Sequence, residues 1–189
     1  MSSPSFSRPD FEKYFMQIAM AVRARANCVG NRIGAIAVHN NRVVSTGYNG
    51  TPENMDNCMD GGCHRCAHRD KYPAGTGYDL YICVHAEQNV LISAARFGIA
   101  LAGATVYTTM RPCFGCTKEM LQANINGVYY IYDWQHPEED KRAEYEKIQA
   151  RFPGGIKKLD IDDPDETWAV SAKRRLLAES ADETGHPAP

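Results

Sequence analysis

The chain has 189 residues, 43% of them hydrophobic and 10% aromatic, enough for one domain that buries roughly two-thirds of its unfolded surface without staples. A formal net charge of -2 argues against a protein whose main partner is duplex nucleic acid, because that partner selects a strongly basic face. No apolar run approaches the ~18 residues that cross a bilayer, and Met1 to Asp10 lacks the basic-then-apolar pattern of a secretion signal.

The expectation is therefore a soluble, cytoplasmic protein without a membrane partner. In that reducing setting its seven cysteines are metal ligands, catalytic thiolates or buried apolar residues rather than a disulfide framework. All seven lie between positions 28 and 116.

A first helix is predicted from Pro9 and Asp10, where Phe11, Tyr14, Phe15, Ile18, Ala19 and Val22 recur at helical spacing. It fades near Ala26 and Asn27. Ile33 to His39 and Arg42 to Tyr48 read as strands joined at Asn40-Asn41, a hairpin whose turn signal is weaker than Asn-Gly. Residues 49 to 80 are rich in Gly, Asn, Asp, Cys and His, and a loop of that length is functional or held by something. Val84 to Phe97 is helical with Gly98 as its stop, and Ala104 to Thr109 is a strand. Pro112 opens a helix that continues from Cys113 to Ala123; Asn126-Gly127 ends it, and Val128 to Tyr132 is a strand.

Beyond Asp133 the composition becomes charged. A solvated helix over Pro137 to Arg151, a strand over Ile156 to Ile161 and a helix over Pro164 to Ala178 form a helix-strand-helix extension, and Ser180 to Pro189 reads as a disordered tail. The alternation of strands and helices predicts an α/β sheet with helices on both faces, a three-layer α/β/α domain. Its catalytic core spans about 10–133, with a Cys/His-rich insert at about 50–83.

Two motifs carry chemistry. His85-Ala86-Glu87 lies at the start of one predicted helix, and Pro112-Cys113-Phe114-Gly115-Cys116 opens the next. One imidazole and two thiolates bind zinc and leave a fourth position for water, the arrangement of a catalytic rather than a structural site. A helix N-terminus favours the thiolates. Glu87, two residues from His85, is placed to move that water's proton without being a ligand. From the residues alone two rivals stay open: a redox pair, or a four-cysteine structural zinc made with Cys63-x-x-Cys66.

H-x-E followed by P-C-x-x-C is the signature of zinc nucleobase deaminases. From about Phe11 to Asp133 the chain resembles the cytidine and deoxycytidylate deaminase superfamily, most of all the dCMP deaminases with their bacterial competence-associated branch. The matching segments are Ile33-Gly34-Ala35, Ser45 to Pro52 with its Gly47-Tyr48-Asn49-Gly50 loop, His85 to Asn89, and Thr108 to Cys116.

The resemblance implies a mixed five-stranded sheet with the zinc held by two helices beneath it, and deamination of dCMP to dUMP. It implies that Asn49, beside Tyr48, faces the zinc and hydrogen-bonds the sugar or the base. A monophosphate calls for arginine, whose fork donates two hydrogen bonds at once; Arg23, Arg25, Arg32, Arg96 and Arg111 are the candidates, with Arg111 first for substrate contact and Arg32 in the first helix's exit loop. Arg96 matches a position that serves a regulatory nucleotide, dCTP or dTTP, in some relatives. Gln88 and Val90 depart from the commoner family residues, and Gln88 is a further pocket donor. Relatives assemble as homo-oligomers.

A second, structural zinc is expected in the insert, which has few apolar residues to order it. Its ligands are drawn from Cys28, Cys58, Cys63, His64, Cys66 and His68, whereas Cys83 reads as a buried apolar residue. Two other functions compete with dCMP deamination: the same chemistry on guanine, a modified cytosine nucleotide or tRNA adenosine, and a non-catalytic zinc scaffold of the competence type.

Overall fold

The structure, a computed structural model, describes residues 7–72 and 76–176. Asp10 caps the first helix, α1 (Phe11–Arg23), its carboxylate accepting from the Lys13 N–H at 2.7 Å. The helix ends earlier than its apolar pattern suggests because Ala24, Arg25 and Ala26 bond three residues back rather than four. Strands β1 (Gly34–His39) and β2 (Arg42–Tyr48) form the predicted hairpin. Asn40 and Asn41 both take left-handed conformations, with φ of 49° and 57°, the geometry that a two-residue hairpin turn requires.

The long segment after β2 contains one short helix, α2 (His64–Ala67), and single 3-10 turns at Cys58–Asp60 and Tyr78–Leu80. It is closed at its base by a two-residue antiparallel bridge, in which the Gly50 and Val84 N–H groups each donate to the other's carbonyl. Helix α3 (Ala86–Arg96), strand β3 (Thr105–Met110), helix α4 (Phe114–Gln122) and strand β4 (Gly127–Tyr132) follow. Helix α5 (Glu139–Gln149), strand β5 (Ile156–Lys158) and helix α6 (Glu166–Ala169) complete the described elements.

The sheet order is β2-β1-β3-β4-β5, antiparallel across the first three strands and parallel across the last three. The period-two alternation of β1 and β3 sends side chains to two cores. On one face Ala35, Ala37, Val106 and Val128 meet Ala86, Val90, Ala94, Cys116 and Met120 of α3 and α4. On the other, Ile36, Val38, Tyr107 and Ile131 meet Phe15, Met16 and Ala19 of α1. The predicted three-layer α/β/α domain with a mixed five-stranded sheet is what forms.

Two glycines set how closely the layers approach. A Cβ on Gly34 would lie 2.2 Å from the Ala19 carbonyl of α1, and one on Gly47 would lie 2.3 Å from the Ala86 carbonyl of α3. Gly47 therefore lets the edge strand β2 press against the first turn of α3, which carries the motif glutamate.

The C-terminal extension departs from its predicted form. The strand is three residues rather than six, and the single helix over Pro164 to Ala178 is interrupted. Val170 is extended, with φ of -100° and ψ of 116°, and Asn31 captures the next N–H, that of Ser171. Residues 171–176 are again helical. The remainder of that predicted helix and the Ser180 to Pro189 tail lie outside the described residues.

Candidate active site and metal centres

Two helix N-termini converge beside the C-terminal end of β3. His85 is the N-cap of α3; Cys113 is the N-cap of α4, with Cys116 in its first turn. The His85 Nδ1 lies 3.4 Å from the sulfurs of both Cys113 and Cys116. A tetrahedral zinc with bonds of about 2.1 Å to nitrogen and 2.3 Å to sulfur places such donors roughly 3.6 Å apart. The three ligand atoms therefore fit a zinc ion whose fourth position the protein leaves open. The Cys113 thiol is held well below the ordinary range, first by its hydrogen bond with Cys116, then, against burial, by His85.

Glu87 sits in the first turn of the same helix and is only 3% exposed. Its Oε1 accepts a 2.7 Å hydrogen bond from the hydroxyl of Thr108 on β3, a residue that is fully buried. Burial pushes the Glu87 carboxyl up, opposed by the nearby imidazole of His85 and by the Thr108 hydroxyl. The carboxylate stands outside the three-atom donor set, which leaves it available for proton movement rather than ligation. Tyr81 meets His85 edge-on with ring centroids 5.3 Å apart and closes that side.

A second donor set lies at the base of the insert. The sulfurs of Cys28, Cys58, Cys66 and Cys83 all lie within 4.8 Å of one another, and all four residues are buried. Four thiolates around one zinc at about 2.3 Å stand roughly 3.8 Å apart, so this cluster also fits. Hydrogen bonds from Cys58, Cys66 and Cys83 drive the Cys28 thiol far down against burial.

Of the six ligands predicted for this site, Cys28, Cys58 and Cys66 come together and Cys63, His64 and His68 do not. On α2 and its C-cap, His64 and His68 are four residues apart and share the outer face, ring centroids 4.2 Å apart, while Cys66 turns inward. Cys63 is fully buried beside the cluster, but its sulfur is not in the set. Cys83, read from sequence as an apolar filler, is the fourth member. The Gly50–Val84 bridge returns the chain to the insert's base and delivers the residue before Val84 to the other three.

The residues predicted to meet substrate divide. Asn49 is 2% exposed and held from two sides: its Oδ1 accepts from the Ile33 N–H at 2.8 Å, and its Nδ2 donates to the Asn31 carbonyl at 2.9 Å. The bridge at Gly50 keeps it in the strand segment that abuts Val84 and His85. Gln88 is engaged by the protein itself. Its Oε1 accepts from the His85 N–H as part of the helix cap, and its Nε2 donates to Glu119. Tyr48 is half exposed, and its carbonyl accepts from Asn89.

Arg23 is 1% exposed and forms a bidentate pair with Asp163 at 2.6 and 2.8 Å, so it does not reach a phosphate. Arg32 stacks over Trp168, 4.3 Å from the ring centroid, and donates to the Trp168 carbonyl. Arg25 is exposed. Arg111 donates to Gln149 at 2.9 Å and to Asp133 at 3.3 Å, and it lines a small cleft with Trp134, His136, Arg142 and Tyr145. Arg96 is exposed, 3.6 Å from Glu53, on a groove of about 620 Å³ also lined by Tyr48, Asn89, Ile92 and Phe97.

Sequence reasoning assigned no role to Thr108, Asn31 or Gln149. Thr108 stood inside a quoted motif segment, which was its one signal. Gln149 of α5 is buried; it donates to the Pro112 carbonyl and accepts from Arg111, fixing the turn that presents Cys113. Nothing local marks such a residue in a charged helix.

Fold and donor sets together define an α/β/α metal-site protein with an acid/base carboxylate beside an open position. The chain belongs to the family of the cytidine and deoxycytidylate deaminase zinc-binding region, whose model matches residues 9–132. It is 38% identical over 132 residues to a deoxycytidylate deaminase of Saccharomyces cerevisiae, covering 70% of this chain and 41% of that protein. The chain thus spans about two-fifths of the yeast relative's length. It is 36% identical over 130 residues to the deoxycytidylate deaminase of Mycobacterium phage D29, covering 66% of this chain and 96% of that one. ComE operon protein 2 of Bacillus subtilis is 34% identical over 131 residues, covering 69% of this chain and 64% of that protein, in line with the resemblance to the competence branch.

Among solved structures, the dCMP deaminase of cyanophage S-TIM5 in its apo form superposes with a TM-score of 0.59 at 25% identity, covering 81% of this chain and all of that one. The same enzyme in complex with dCMP and dUMP gives 0.61 at 24% identity, covering 82% of this chain and 100% of that one.

Proposed function

We propose that the protein catalyses the hydrolytic deamination of dCMP to dUMP and ammonia. The observation that carries this is the buried Glu87 carboxylate, anchored by Thr108 beside His85, Cys113 and Cys116 yet free of the donor set. The phage D29 relative, which this chain spans almost completely, and the family match support the substrate class.

Bound by His85, Cys113 and Cys116, zinc supplies the Lewis acidity that makes water nucleophilic near neutral pH. The chain's own residues do the rest. Glu87 takes a proton from the water that attacks C4 of the cytosine. It gives that proton to the ring nitrogen, then carries the remaining proton of the new C4 hydroxyl to the exocyclic amine; the C4–N4 bond breaks, ammonia leaves, and the C4–O bond becomes the uracil carbonyl. Thr108 holds one Glu87 oxygen, so the other faces the reacting atoms. Asn49, fixed through Ile33 and Asn31, offers its second amide N–H to the ligand. Arg111 is the cation best placed for the phosphate, since it stands beside Pro112 and its Nη2 lies outside its bonds to Gln149 and Asp133.

The four-cysteine set is proposed as a structural zinc site that orders the insert. The groove beside Arg96 is proposed for the regulatory nucleotide, dCTP or dTTP. Ile92 and Phe97, exposed at its rim, suit coverage by a second subunit in a homo-oligomer. No helix among the described residues is long and apolar enough to cross a membrane.

The test is Glu87→Gln in the zinc-loaded chain. Turnover of dCMP, read as ammonia release, falls about 10²- to 10⁴-fold, the usual worth of a positioned proton carrier, while zinc content and folding match the parent. Wild-type turnover in that variant would remove the mechanism, and response to RNA alone would remove the substrate.

A further inference from the structure

The family match ends at residue 132, yet the chain that follows returns to the site. Asp163 anchors it, paired with the buried Arg23 and accepting from the Tyr132 hydroxyl at 2.5 Å. From there residues 168–174 lie along residues 29–32, the loop between Cys28 and β1, and engage every one of them.

The Arg174 guanidinium donates to the carbonyls of Val29 and Gly30. The N–H and the hydroxyl of Ser171 both donate to the Asn31 Oδ1, each at 2.9 Å. The Arg32 N–H donates to the Ala169 carbonyl at 2.9 Å, and its side chain stacks on Trp168. The far side of the same loop is what holds Asn49, through the Asn31 carbonyl and the Ile33 N–H. The loop is therefore clasped between the extension and a buried amide, with Val29 packed on the cysteine cluster at its start.

We propose that residues 168–174 are a positioning strap that sets the orientation of Asn49 through Asn31, and so sets how tightly the nucleotide is held. This rests on the deaminase reading, and it gives the C-terminal extension a role that the zinc chemistry does not. Ser171 and Arg174 are positioning residues: they touch neither the metal donors nor Glu87. A side chain that must be aimed within a fraction of an ångström needs locked neighbours, and a backbone loop without a strap samples many orientations.

Ser171→Ala and Arg174→Ala in the full chain test it by two measurements. Amide hydrogen exchange reads the coupling without any turnover. The Ile33 and Asn49 N–H groups, which bond to the Asn49 Oδ1 and the Ile33 carbonyl, exchange about tenfold faster, while Val106 and Tyr107 in the central strand stay at the parental rate. Steady-state kinetics then show KM for dCMP raised about tenfold with kcat within about twofold of the parent, the mark of lost ligand seating rather than lost chemistry. Ser171→Thr, which keeps a hydroxyl, restores both.

Faster exchange at Ser171 with Ile33, Asn49 and KM all unchanged would overturn the strap. So would a lowered Tm and active fraction with an unchanged KM, which is what a merely structural role gives. Should Arg174→Ala fail to fold, Asn31→Ala removes the acceptor of both Ser171 contacts, keeps the carbonyl that holds Asn49, and still decides the matter. Should the wild-type chain not deaminate dCMP, the deaminase reading fails by itself, and the exchange measurement still decides the coupling.

Discussion

Glu87 shows how one residue's role is set by which partners it lacks. A buried carboxylate without a full ion pair is costly, and this one is held by the Thr108 hydroxyl, its own backbone N–H and the nearby His85 imidazole rather than by an ion pair. That setting suits the proton-carrying role proposed for it. Arg111 is the reverse case, with two partners already, Gln149 and Asp133. Because its Nη2 is outside both hydrogen bonds, Arg111→Ala is expected to raise KM for dCMP about 10- to 100-fold, the range of one charge-assisted contact of ~1.5–3 kcal/mol. KM for deoxycytidine, which has no phosphate, should move far less. Equal changes for the two ligands would show that Arg111 acts only by bracing the Pro112 turn.

His85, Cys113, Cys116 and Glu87 were legible from sequence because each motif is local. Three residues at one helix start and four at the next have their relative positions fixed by helix geometry, so only the meeting of two helices was left to the fold. The capping contact of Gln88 is equally local, since it closes the first turn of the helix whose motif it interrupts.

At the scale of elements, the insert behaves as a segment ordered by sulfur. Its apolar neighbours Val29, Tyr81 and Ile82 pack around the buried cysteines themselves. The proposed second site predicts that Cys83→Ser lowers zinc content from two ions per chain to one and destabilises the insert, since a structural zinc site contributes folding free energy directly. Counting metal in the purified variant checks this. Two ions retained in Cys83→Ser, with one lost in Cys63→Ser, would reassign the fourth ligand. The sequence could not single out Cys83, because its role depends on the Gly50–Val84 bridge, a pairing between residues 34 apart by chain number. The hairpin, in contrast, was readable to the residue, since Asn40 and Asn41 tolerate the left-handed conformations that its turn needs.

Across the whole molecule, Arg23 and Asp163 join the first helix to the extension, the two residues 140 apart in the chain. Burial would raise the Asp163 carboxyl, but the Arg23 fork, the Tyr132 hydroxyl and the Asp165 N–H together hold it below the usual carboxylate range. A carboxylate whose folded pKa is depressed stabilises the protein above its unfolded pKa of about 3.9, and that contribution is lost as pH falls through the folded value. Asp163→Asn leaves the buried guanidinium with only the exposed Asp165 carboxylate, 4.0 Å away, and is expected to cost about 3 kcal/mol near neutrality. The gap between variant and parent should hold down to about pH 4 and narrow below it; urea unfolding across that range checks the sign. A gap that widens in acid would contradict the assignment.

The sequence alone determined the order of the main elements, the three-layer arrangement and the cluster of His85, Cys113 and Cys116 with Glu87 beside it, because these depend on periodicity and on spacings within one or two helical turns. Tertiary structure alone decided the fourth cysteine, the helix-capping duty of Gln88, the capture of Arg23 and Arg32 by the extension, and the clasp around residues 29–32. In each of those cases the deciding contact joins segments far apart in the chain, and a local pattern holds no record of which distant group arrives first at a buried hydrogen-bonding atom.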